Sequence, residues 1–152
     1  MATLYEVEAI LMVIVDSIDF DELSVRDGLA KMIRDFDRTA REDADVVKVW
    51  LDWNTGFRAD VWLAYLRMQK RVEAAIQKAL TRGKRQGVLS ERLNTKAAAR
   101  LFIGGGRTVV LTRFSGASER EIEILIDHLI ESVLCIGAHE MSHLQETDLE
   151  DY

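Results

Sequence analysis

ADVWLAYLRMQKRVEAAIQKALTRGKR, residues 59–85, is the stretch whose reading decides the fold. Trp62, Tyr65, Met68, Val72, Ile76 and Leu80 recur every three or four residues, which places them in one stripe of a 3.6-residue helix with the charges opposite. So long a run with one apolar stripe, ending at Gly87, predicts a long amphipathic helix packed on a core.

The neighbouring stretches carry the same period. Upstream, Val46, Val49, Trp50 and Trp53 share one face of a helix expected to stop near Gly56. Before that, Ser24-Val25-Arg26-Asp27 reads as a capping box, followed by Leu29, Met32, Ile33 and Phe36 in a helix running to about Thr39. From Leu4 to about Ser17, apolar residues including Leu11, Met12, Ile14 and Val15 crowd most of the circumference, predicting a helix largely enclosed by others. Downstream, Asn94 or Thr95 can cap KAAARLFIGGGRTVVLTRF, which is apolar nearly all round and expected to be buried on more than one side. Ser118-Glu119-Arg120-Glu121 is a second capping box and opens the last helix. On that helix Ile122, Leu125, Ile126, Leu129, Ile130, Val133, Leu134 and Ile136 cover about 180°, wider than the roughly 100° one core contact needs. The surplus apolar face predicts a partner. With no strand-like alternation and no repeat, the expected architecture is an all-α bundle of about six helices.

Composition bounds the function. A chain of 152 residues is one domain with a real core, and zero prolines suit long uninterrupted helices. The single cysteine, Cys135, excludes an intrachain disulfide and a cysteine-cluster metal site, and fits a reducing compartment, hence the cytoplasm. The N-terminus carries no basic region or cleavage site and has acidic residues at Glu6, Glu8 and Asp16, so it reads as neither a signal peptide nor a membrane span. A net charge of −6 is the wrong sign for a chain that neutralises nucleic-acid phosphates by itself.

Several motifs bear on chemistry. His139-Glu140-Met141-Ser142-His143 matches the zinc-protease pattern, which would make a metal-dependent hydrolase one alternative function, beside a headless dimerisation or interaction protein without a ligand. That pattern needs a helix and a third ligand; Gly137 marks the expected helix end, and Glu146 and Leu149 stand where the longer form has Gly and His. His128 lies eleven residues before His139, about 16 Å of helical rise, outside one coordination shell. No metal, cofactor or catalytic residue is therefore expected, and 139–152 is expected to be an acidic flexible tail after a domain at 1–138. Gly104 to Thr108, GGGRT, follows no strand and lacks the terminal Gly-Lys-Ser/Thr of a phosphate loop, so close packing or a pocket wall is expected there. Cys135 reads as a small core residue. Trp50, Trp53, Trp62 and Tyr65 can converge between two helices, either as solid core or, beside Gln69 and Thr108, as the wall of an apolar pocket.

KVWLDWNTGFRADVW, residues 48–62, resembles the corresponding segment of the TetR-superfamily quorum-sensing master regulators of the HapR/SmcR/LuxR type, and RQGVL, AARLFIGG and the final LCI continue the likeness. The resemblance implies a ligand-binding and dimerisation domain whose last two helices form a homodimer's four-helix bundle. It places ligand-binding positions on Leu11, Met12, Met32, Phe36, Trp50, Tyr65, Gln69 and Phe102. The last two helices would meet a second copy through Val109, Ile122, Leu125, Ile126, Leu129 and Val133. Gln69, in place of a shorter amide, Glu73 and Gly106 depart from the family pattern, so a small apolar effector here would differ from that of relatives. Members of the family begin with a helix-turn-helix domain, whereas here the first helix starts almost at Met1; DNA contact is expected only through such a head, absent from this sequence.

Overall fold

The computed structural model describes residues 3–55 and 59–135. They form α1 (Leu4–Asp16), α2 (Val25–Glu42), α3 (Ala44–Thr55), α4 (Ala59–Arg85), α5 (Thr95–Phe114) and α6 (Glu119–Leu134), with no strand among them. The chain is an all-α bundle, as the periodicity predicts. The expected stop at Gly56, the tail 139–152 and the pattern His139, Glu140, His143 lie outside the described residues.

The helix starts follow from side chains that satisfy the orphan backbone N–H groups of a first turn. Ser118 and Glu121 make the full reciprocal box expected of them, and Thr3 with Glu6 makes another. At Ser24 only half the box forms: its hydroxyl accepts from the Asp27 N–H at 3.1 Å, but the Asp27 carboxylate, one carbon shorter than a glutamate, returns no bond. Asn94, not Thr95, caps α5, accepting from the Ala97 N–H at 2.9 Å. Between α4 and α5 the chain turns at Gly87, whose φ of 73° suits a residue without Cβ.

α2 is the hub and touches each of the other five helices. One apolar cluster joins the end of α1, α2 and the second half of α4 to α5 and α6; the other joins α1, α3 and the first half of α4 around Trp50, Trp53, Tyr65 and Met68. The helix α1 is less enclosed than its composition predicts, since Tyr5, Ala9 and Val13 line an outer edge and Val13 is 67% exposed. Cys135 is exposed, contrary to the core position expected; it caps α6 two residues beyond Val133, which takes the inward direction instead.

The expected dimer residues divide. Val109, Ile122, Ile126 and Val133 are buried in the chain's own core. Leu125 and Leu129 are half-buried against the same cluster. An apolar arc of 180° does not say which half turns inward; the i, i+4 set Ile122, Ile126 and Ile130 does.

Arg113 ties three helices together. Its guanidinium grips Asp37 of α2 through Nε and Nη2, the latter at 2.9 Å, and Glu119 of α6 at 2.8 Å and 3.0 Å. Asp37 is the charged side chain buried in the described core, and the Arg113 side chain is 11% exposed, so this pair is shielded from water. The Arg113 hydrogen bonds hold the Glu119 carboxyl below its ordinary pKa of 4.5 and push the guanidinium's own pKa up. Removing one partner strands a buried charge: Arg113→Ala should lower the unfolding free energy in urea by about 3 kcal/mol, and Arg113→Met with Asp37→Leu should recover most of it. Because the folded pKa of Glu119 is depressed, its stabilisation is complete above the ordinary value of 4.5 and is lost as pH falls through the folded value. Glu131, lowered by its bond from Arg26, follows the same sign. Melting temperature should therefore fall on acidification below that range, less steeply in Glu119→Gln.

Candidate ligand-binding site

Where the two apolar clusters meet, five helices leave a cavity of about 70 Å³, or about 510 Å³ of unfilled space with its mouth included. Leu11, Ile14 and Val15 come from α1, and Met32, Ile33 and Phe36 from α2. Trp50 comes from α3, Gln69, Val72 and Ile76 from α4, and Phe102, Ile103 and Gly106 from α5. Each group repeats the three- and four-residue spacing of one helix face, so the wall is the inner surface of the bundle itself.

Six positions singled out in the sequence are brought together here: Leu11, Met32, Phe36, Trp50, Gln69 and Phe102. Met12 and Tyr65 are not on the wall. Met12 is half-buried against the larger apolar cluster, and Tyr65 sits behind Gln69 among the aromatic residues. Of the seven further lining residues, Gly106 lies in the run expected as close packing or a pocket wall; the other six carry a signal in the sequence, since Val72 and Ile76 follow Gln69 on its own face, and Ile33 and Ile103 adjoin predicted positions. Thr108 does not face the cavity, because its exposed hydroxyl donates back to the Gly104 carbonyl at 3.3 Å. Glu73 is also off the wall, accepting from the Arg100 Nε at 3.2 Å and 3.3 Å.

Trp50 serves both readings of the aromatic set. It meets Phe36 edge to face, with ring centroids 5.1 Å apart and planes at 85°, and is 4% exposed, yet its ring still borders the cavity. Core and pocket wall are here the same residues.

The glycine run lies within α5, and each glycine does something different. A Cβ at Gly105 would overlap the methyl groups of Leu129, so this glycine sets how closely α5 and α6 approach. A Cβ at Gly106 would stand 3.0 Å from the Ile33 Cδ1, so its absence keeps the cavity open. Around Gly104 a Cβ would meet nothing within 4 Å.

Among the lining residues only Gln69 carries an amide, and none is acid, base or nucleophile. The Tyr65 hydroxyl donates to Gln69 Oε1 across a long 3.4 Å contact. Burial pushes the Tyr65 pKa up, while the positive charge and hydrogen bond of Arg107 pull against it. Among the described residues no group of three or more His, Cys, Asp or Glu side chains is placed to hold a metal, and no helix is long and apolar enough to cross a membrane. What these walls can do is enclose an apolar molecule and orient it through one amide.

No family model matches the chain. It is similar to the HTH-type transcriptional regulator LuxR of Vibrio harveyi, with 22% identity over 121 residues that make up 80% of this chain and 58% of that protein. The chain thus spans little more than half the length of that relative.

Gly104 and Gly105 give a stability test that separates their roles. Gly104→Ala should raise the unfolding free energy by up to about 1 kcal/mol through helix propensity alone. Gly105→Ala should lower it by about 1 to 3 kcal/mol, because Leu129 must be displaced. Urea titration of the two variants distinguishes a packing contact from mere tolerance of glycine.

Proposed function

We propose that this chain is the effector-binding and homodimerisation domain of a cytoplasmic transcriptional regulator of the LuxR kind, not an enzyme. The observation that carries the reading is the apolar cavity, walled by five helices, with its one amide. The similarity to the LuxR regulator of Vibrio harveyi supports the regulatory class, and the net charge of −6 argues against this portion holding DNA phosphates itself.

The mechanism is a population shift. An apolar occupant touches α1 to α5 together and so favours the arrangement in which those walls fit it. α5 also packs on α6, so a change in its position alters the surface these helices offer a second copy. That surface is drawn here on the residues left exposed, Leu101 and Leu111 on α5 and Ile124 on α6, in place of the buried set expected from the sequence.

Toluene titrated into the protein should change Trp50 fluorescence saturably, with the effect absent in Trp50→Phe. A filled core, as in an interaction module without a ligand, shows no saturable change. Sedimentation velocity should show a dimer for the parent chain and at least tenfold weaker association for Leu111→Glu, with the helical content unchanged. A monomeric parent chain removes homodimerisation from the proposal.

A further inference from the structure

The polar corner behind Gln69 is more organised than packing requires. Arg107 of α5 is half-buried, its Nε is buried without a hydrogen-bond partner, and no carboxylate among the described residues pairs with it. Among the described residues it is this guanidinium that keeps a buried side-chain nitrogen without a hydrogen-bond partner. A buried polar group without a partner is costly, and such groups call for an explanation.

Next to it the donors and acceptors run in one direction. Tyr65 has one proton, which it gives to Gln69 Oε1. The carbonyl side of the Gln69 amide is thereby turned to Tyr65, and its N–H₂ makes no hydrogen bond among the described residues. Gln69 lines the cavity, whereas Tyr65 and Arg107 stand behind it. A positive charge at the far end polarises the line toward stronger donation at the near end.

We propose that Gln69, backed by Tyr65 and Arg107, reads a hydrogen-bond acceptor oxygen on the effector, which makes the ligand an apolar chain or ring carrying one carbonyl or carboxylate. The inference rests on the cavity being an effector site. It assigns polarity to the ligand: an acceptor at the Gln69 end and no donor group there, since an ammonium would meet N–H groups and a guanidinium.

The test uses four probes of equal length, followed by Trp50 fluorescence on the full chain: hexane, 2-hexanone, hexanoate and hexylammonium. An acceptor matched to Gln69 should bind at least tenfold more tightly than hexane, while hexylammonium binds no more tightly than hexane. Whether the ketone or the carboxylate gains more distinguishes a neutral carbonyl from an acid as the natural group. Gln69→Leu and Arg107→Met should abolish the preference while hexane still binds, which also shows that the variants fold. Binding of hexane with no preference for either acceptor, or a preference for hexylammonium, overturns the inference and leaves the cavity as a binding site. Failure of every probe, hexane included, overturns both.

Discussion

A carboxylate enclosed by helices has to be neutralised where it lies, and in this bundle that requirement falls on Asp37 and Arg113. Asp37 sits on α2, the helix in contact with all the others, and Arg113 lies near the C-terminal end of α5. Hydrophobic contacts let two helices slide or rotate with little penalty, because apolar attraction has no direction. A bidentate guanidinium and carboxylate accept one geometry. By extending the same guanidinium to Glu119 in the first turn of α6, the chain fixes α2, α5 and α6 in one register. The glycine contact with Leu129 then sets the α5–α6 distance, and the capping of α6 by Ser118 starts that helix beside Arg113.

The cavity is what remains once that frame is set. At about 24 cal/mol per Å³, 70 Å³ of unfilled apolar space costs about 2 kcal/mol, small beside the burial of two clusters but not negligible for a domain. Filling the space with a larger side chain at position 106 would recover some of this and would also push on Ile33 of α2. An occupant that restores the missing contacts acts on the same helix to which Arg113 ties α5 and α6. Under the proposed function, occupancy and the arrangement of α5 and α6 are linked through α2.

Much of this was legible in the sequence, for reasons that differ by residue. The stripe from Trp62 to Leu80 and the caps Ser118 and Asn94 are local signals, and the helices follow them. Ile122, Ile126 and Val133 were legible as apolar but not as inward, because orientation within a wide arc is decided by which neighbours arrive. In the same way the resemblance indicated Leu11, Met32, Phe36, Trp50, Gln69 and Phe102, whereas Ile14, Val72 and Ile103 join the wall by helix rotation and proximity, which one-dimensional spacing only partly encodes. Asp37 and Arg113, 76 residues apart, had no sequence signal at all. Nor did Arg107, whose buried Nε lacks a partner among the described residues only because of how the helices assemble.

The position of Cys135 has a practical side. A lone thiol, exposed at the C-cap of the last helix and outside the cavity wall, is one attachment point for a spin label or a fluorophore. In an assembly of two copies it would supply one matched pair of labels without any engineered residue. Pulsed dipolar or energy-transfer spectroscopy could then follow the relative placement of the two α6 ends while the interior is empty and while it is filled. The molecule brings its own ruler.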